Sequence, residues 1–488
     1  MDFASLVLAQ AAENERNGDW TAAELFYRGL LRERPEHPQA TLALGLLLRH
    51  HGDPTESLLL LKRAAALAPD SPDAAFQLGE ALQAAGQHEQ AKLALLIAAC
   101  LRAIAINPND IETRFHLGLA FHQAGHATEA AQAFRQALAL GPNFAELHNN
   151  LGICLQTLRR NDEAAVSHRR AVALAPWNAG HHCNLAHALL ASGQLREGLA
   201  EWEWRTPSPP RDFSQPKWDG APFPGQTLLA HAEQGYGDTL QFCRFLTQAA
   251  ERGGRLIVEC RAPVAGLLER MAGVAEVVVW GTALPPFDLQ ITIPSLAHAL
   301  GATPTSVPSP YLKIDDDRLI RWRRRIDDCR FKVGLVWAGN AAGLDPHRAI
   351  PPACLRHLSA LPDVALYSLQ RDTKDQTALP DSVVNLGSEI TDFDDLAAAI
   401  GCLDLLISVD TAAAHLAGAL GKPVWTLLHA APDWRWQGGK DLDDQDSEQG
   451  GVTPWYPTMR LYRQQANNDW DEVIVRVATR LIAIAGRA

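Results

Sequence analysis

The sequence predicts an α superhelix followed by an α/β module of two lobes, each built on a parallel sheet. Three observations carry this. Prolines recur at Pro35, Pro69, Pro108, Pro142 and Pro176, at intervals of 34, 39, 34 and 34 residues. Six prolines crowd the stretch 206–225. Beyond it, short apolar runs alternate with helix-period segments, most clearly at Leu403–Trp425 (LDLLISVDTAAAHLAGALGKPVW).

The repeats come first. Leu78-Gly79, Leu117-Gly118, Leu151-Gly152 and Leu185-Ala186 share one register, and twelve residues beyond each pair stands Ala91, Ala130, Ala164 or Gly198. Small residues let two helices cross closely, and the proline ends the second helix of each pair. A 34-residue period of this kind resembles tetratricopeptide repeats. Five repeats start near Phe3, Pro38, Pro72, Ile111 and Phe144, and a sixth runs from Ala179 into Glu201-Trp202-Glu203-Trp204-Arg205, so the array is placed at 1–205. The third repeat is five residues longer, which predicts a longer second helix around Leu95–Leu101. Such repeats stack into a solenoid with a concave face, and Asn149, Asn150 and Asn184 fall on its first helices. There they are either hydrogen-bonding groups for an extended peptide or ordinary polar surface residues.

Residues 206–225 read as a proline-rich linker, with Trp218 packing it onto a neighbour. The first lobe, 226–307, opens with a strand at Thr227–His231 and the loop Ala232-Glu233-Gln234-Gly235-Tyr236-Gly237-Asp238. Gly235 and Gly237 permit close approach of backbone to a ligand. The loop is neither a Walker motif nor GxGxxG. By position alone Asp238 is a helix N-cap; a carboxylate at the tip of a first strand is also placed to act as a general base.

The second lobe, 308–488, opens with Asp315-Asp316-Asp317 at a helix start, where acidic residues complement the helix dipole. Strands are expected at Phe331–Ala338, Ala365–Leu369, Val383–Leu386, Leu405–Val409, Val424–Leu428 and Arg460–Tyr462, with a final helix at 469–484. In doubly wound sheets ligands bind at the carboxyl ends of strands. That places Gln370, Asp410 and Thr411 on the ligand edge, with Asn340 at the end of the first of these strands and Arg348 in the loop beyond it, and with His415 one turn into a helix whose N-terminus suits phosphate. His415, taken alone, is an ordinary buried helix histidine. The aromatics of Pro432–Trp436 and Pro454–Pro457 either shape a ligand site or lock loops onto the core. The acidic stretch 438–451 reads as a loop.

Composition narrows the function. A net charge of −12 excludes a general nucleic-acid binder. The most apolar stretch, Ala91–Ile106, is broken by Lys92 and Arg102, so no membrane span is expected, and no signal peptide is evident. Eight cysteines without metal spacing read as buried reduced thiols of a cytoplasmic protein.

Asp410, Thr411, His415, Leu416-Ala417 and Gly421-Lys422-Pro423 together resemble the signature of heptosyltransferase-type enzymes, and Gly237-Asp238 resembles the glycine–aspartate of their first loop. With VGLVWAGN, SLQR, PDWRW and PWYPTMRLYRQ, nearly the whole chain resembles a bacterial group that fuses tetratricopeptide repeats to a GT-B glycosyltransferase module of two Rossmann-like lobes. The arrangement is distantly analogous to O-linked N-acetylglucosamine transferase. The sequence departs from the related bacterial pattern over Gly343–Ala349, where Arg348 alone aligns. The resemblance implies a metal-independent transferase without cofactor, taking a nucleotide-sugar as co-substrate and a protein or peptide acceptor bound by the repeats. Asp238 would be the base. Gly235, Gly237, Asn340, Arg348, Gln370, Asp410, Thr411 and His415 would bind the donor. A non-catalytic scaffold with a degenerate module, or an enzyme acting on a glycolipid, are the alternatives; self-association is left open.

Overall fold

The structure is a computed structural model, and it describes residues 2–206, 211–339, 348–371, 380–430, 432–436, 451–465 and 469–486. The chain divides into two compact units, Met1–Leu185 and Ala186–Ala488.

The first unit is the helical array. Its helix pairs begin at Phe3, Pro38, Pro72, Ile111 and Ala145, and a further helix, Ala179–Ala191, begins the sixth repeat. Sequence chemistry sets the ends. Asp19, Asp53, Ser71 and Asp110 cap helix N-termini through their side chains, and Pro38, Pro54 and Pro72 occupy first helical positions. In the second to fifth repeats the glycine of the first helix meets a large side chain from the second. A Cβ on Gly118 would lie 2.5 Å from the Phe134 ring, and one on Gly152 would lie 2.5 Å from His168. The long helix is His88–Ile106, 19 residues against 14 in the equivalent helix Ala127–Leu140. Asn184 and Asn149 bond each other, Nδ2 to Oδ1 at 3.0 Å, and Asn150 donates to the Glu146 carbonyl.

The second unit holds both sheets. In the first lobe β1 (Thr227–His231), β2 (Arg255–Cys260), β3 (Val274–Val279) and β4 (Leu289–Thr292) form a parallel sheet in the order β3-β2-β1-β4. In the second, β5 (Phe331–Val336), β6 (Val364–Ser368), β7 (Val383–Asn385), β8 (Leu405–Val409), β9 (Val424–Leu428) and β10 (Met459–Arg463) run parallel in the order β10-β9-β8-β5-β6-β7. That is the doubly wound order, and its direction reverses between β5 and β8. In the first sheet it reverses between β1 and β4. Helices cover both faces of a parallel sheet, so β6, β8 and β9 are buried throughout.

The linker is laid against the first lobe. Trp218 is buried; its backbone N–H donates to the Gln290 carbonyl at 2.8 Å and its indole to Ala221. Gly220 is required there, because φ is +95° and a Cβ would lie 2.1 Å from the Ala299 carbonyl oxygen. Asp315 caps its helix by accepting from the Arg318 N–H. Five cysteines are buried, Cys183 and Cys402 are half-buried, and Cys329 is exposed, unlike the uniformly buried set expected. Among the described residues no helix is long and apolar enough to cross a membrane.

Candidate active site

The site grows from the two points where strand order reverses. After β1 the chain turns through Gln234, held at φ +59°, to Gly235, which starts the helix Tyr236–Phe242. The N-cap is Gly235 and not Asp238 as its position suggested; Asp238 is the third helical residue and reaches back to accept the Gly235 N–H on Oδ2 at 3.1 Å. Its other oxygen, Oδ1, is paired with Arg435 from the opposite lobe.

Arg435 connects the site. Its Nη1 bonds Asp433 at 2.8 Å, its Nε donates to Gln241 Oε1 at 2.7 Å, and its guanidinium lies 4.5 Å from the Trp434 ring. Burial would raise the Asp433 carboxyl, but the adjacent Arg435 charge and N–H outweigh it and hold the group below its usual range. Arg435 also acts electrostatically on Asp410.

Asp410 ends β8, and Thr411 caps the helix Ala412–Ala419 with its hydroxyl bonded to Ser408 at 2.9 Å. Arg348 reaches Asp410 at 3.1 Å. Burial pushes the Asp410 carboxyl up to about 6, with Arg348 partly opposing. Asp410 and Arg348, called separately from sequence, are thus direct partners.

His415 is enclosed. Its Nδ1 bonds the Tyr456 hydroxyl at 2.9 Å and its ring stacks on Trp436 at 5.0 Å. Tyr456 fits because Gly418 leaves room: a Cβ there would lie 2.4 Å from the tyrosine ring. Burial drives the imidazole down to about 3, with Arg435 adding to the effect, so His415 is neutral at physiological pH. Gly237 packs on its far edge.

Gln370 is buried and binds backbone. Its Oε1 accepts from the Trp337 and Ala338 N–H groups at 3.1 and 3.0 Å, and its Nε2 donates to the Arg371 carbonyl. It ties the end of β6 to the end of β5. Gly339 lies beside Thr411. Asn340 lies outside the described residues, as do positions 343–347 and 438–450.

The sequence reading missed Arg435 and Asp433. PDWRW was singled out for its aromatics, yet its Asp-x-Arg carried the charge signal. The aromatics themselves lock loops: Trp434, Trp436, Trp455 and Tyr456 are all buried.

Residues 8–72, 76–143 and 115–179 match one tetratricopeptide-repeat family model, and 48–99 match a second. Residues 370–448 match the model of glycosyltransferase family 9 (heptosyltransferase), a span that includes Asp410, His415 and Arg435 but not Asp238 or Arg348. Protein FlbA of Caulobacter vibrioides is 28% identical over 336 residues, 61% of this chain and 54% of that protein. The chain thus spans about half the length of this relative. Among solved structures, a family 9 glycosyl transferase from Veillonella parvula is 10% identical, covers 55% of this chain and 100% of its own, and gives a TM-score of 0.42. MamA from Desulfovibrio magneticus is 23% identical over 36% of this chain and 97% of its own, with a TM-score of 0.19. By the family models, the chain joins tetratricopeptide repeats, matched within 8–179, to a glycosyltransferase family 9 (heptosyltransferase) domain, matched over 370–448.

Proposed function

We propose that the chain transfers a sugar from a nucleotide-activated donor to a hydroxyl of a protein acceptor recruited by the repeats. The observation that carries this reading is the convergence of the two strand-reversal loops on one polar cluster. Asp238 comes from the first lobe; Asp410, Arg435 and Arg348 come from the second. The donor diphosphate lies at the N-terminus of helix Ala412–Ala419, whose free N–H groups and dipole favour anions. Arg348 exchanges its bond to Asp410 for a phosphate oxygen and stabilises the charge that develops as the sugar–phosphate bond breaks. The acceptor oxygen forms the new bond to the anomeric carbon and gives its proton to Asp238, and the nucleotide departs as the diphosphate anion. Neutral His415 shapes the loop through Tyr456 and Gly237.

The repeats favour a protein acceptor over a small glycolipid, since a solenoid presents a long surface that a small acceptor does not need.

A second reading is a scaffold without turnover. It is favoured by the fact that Asp238 and Gln370 both bond protein groups. Thermal shift with UDP-, ADP-, GDP- and CMP-sugars, followed by mass spectrometry of proteins incubated with chain and donor, separates the two. A shift with one donor and a mass increment on an acceptor supports transfer. No shift with any donor supports the scaffold.

A further inference from the structure

Glu201-Trp202-Glu203-Trp204-Arg205 closes the helical array in sequence, and the chemistry above makes no use of it. It follows the helix Leu195–Trp202 and packs within the second unit. The Arg205 side chain is 7% exposed and that of its partner Glu233 is 1% exposed. Nε donates to Glu233 Oε1 at 2.8 Å, and Nη2 bonds the same oxygen, Thr292 Oγ1 at 3.0 Å and Ser295 Oγ at 2.9 Å. Nη1 donates to the Trp202 carbonyl at 3.0 Å and Glu203 at 3.1 Å, and the guanidinium lies 4.3 Å from the Trp202 ring. A lysine ammonium has three donors and no planar fork, so it cannot reproduce this set.

Glu233 stands in the segment that carries Asp238. The Ala232 N–H still bonds the sheet, donating to the Glu259 carbonyl at 2.8 Å. Gln234 then takes the left-handed conformation, which residues other than glycine seldom adopt. Gly235 is bonded to Asp238. The strained residue is therefore pinned on one side by Asp238 and on the other by Glu233. Such strain persists only where the surroundings over-determine it. Among the described residues the second Glu233 oxygen, Oε2, is buried without a partner, so its carboxylate is held through Oε1.

We propose that Arg205 is a positioning residue: its ion pair with Glu233 fixes the Gln234–Asp238 loop in the conformation that presents the Asp238 carboxylate. The inference rests on the reading of Asp238 as the base.

Arg205→Lys in the full chain tests it by two measurements, with Glu233→Gln as a second variant that keeps the side-chain shape should the first fail to fold. Amide exchange of the peptide over residues 232–242 is compared with that over β8. Exchange in the loop is expected to rise on the order of 10-fold while β8 is unchanged. Transfer kinetics are expected to show kcat lowered by ~100-fold at unaltered donor KM, as a misplaced base produces. Loop exchange equal to wild type overturns the proposal whatever the activity. Raised exchange with unaltered kcat overturns it too, since the loop would then not need positioning. If the wild-type chain transfers no sugar yet the exchange still rises, the role of Asp238 falls and the hold of Arg205 on the loop stands.

Discussion

Gly237 sits against the edge of the His415 ring, so that a Cβ built on it would lie 3.1 Å from Cδ2 and 3.5 Å from Nε2. The two residues come from opposite lobes, and each belongs to a motif that pointed to this chemistry. The glycine is there because the histidine cannot retreat: Tyr456 holds one ring nitrogen and Trp436 covers a face. Gly237→Ala is expected to cost roughly 1–3 kcal/mol by overpacking and to lower transfer. Urea unfolding checks the first effect and a transfer assay the second; an alanine variant as stable as wild type would show that the ring yields.

Removing Arg435 leaves Asp238 and Asp433 without their shared cation. Arg435→Met is expected to destabilise by about 3–5 kcal/mol, the usual cost of breaking a buried pair from one side. Adding Asp433→Asn should recover part of it. A denaturation series on the single and double variants reads both steps; equal stabilities would mean the cluster is already hydrated.

Much of this was legible in the sequence. β8 and β9 fall where the apolar runs of Leu403–Leu428 place them, because a fully buried parallel strand needs an unbroken apolar run and its turn residues bound it. The repeat starts were readable from proline spacing. The partnership of Arg435 with Asp238 was not: the two are 197 residues apart, and nothing local to either names the other. Gln370 was legible only as a strand-end residue. Its place at a strand end matched a ligand contact, while its bonds go to the backbone of a neighbouring strand.

Gln370→Ala would orphan the Trp337 and Ala338 N–H groups. Each buried donor left without an acceptor costs roughly 1–3 kcal/mol. Thermal melts should show the loss, and donor binding by calorimetry should weaken through disorder at the end of β5. Wild-type stability would mean that water replaces the amide.

Stability should respond to pH through two groups of opposite sign. The folded His415 pKa, about 3, lies below the ordinary histidine value of 6.5. Its contribution is fully present above pH 6.5 and is lost as pH falls toward 3, by up to ~1.4 kcal/mol per unit. Asp410 is raised from 3.8 to about 6, so acidification from pH 6 to 4 returns stability that this buried charge costs above pH 6. Asp410→Asn is therefore expected to stabilise by roughly 1–3 kcal/mol at pH 7.5 and by little at pH 4. Its former partner Arg348 is more than one-third exposed, so water can solvate the freed guanidinium. His415→Phe should flatten the loss between pH 6.5 and 4. Melts of both variants across pH 4 to 8 decide it, and a benefit of Asp410→Asn that grew on acidification would reverse the sign assigned here.

The Asp238–Arg435 pair also sets an order of events during synthesis. The chain emerges from its N-terminus, so the Gly235–Asp238 loop is made 197 residues before the guanidinium that completes it. At about 5–20 residues per second the ribosome needs on the order of 10–40 s to cover that gap. Throughout that interval Asp238 has no partner across the lobes, and His415, when it appears, still awaits Trp436 and Tyr456. A nascent chain halted between residues 293 and 434 carries finished repeats and a finished first sheet but no assembled centre. Translation itself thus delays competence until β9 and the loop that carries Arg435 have been made.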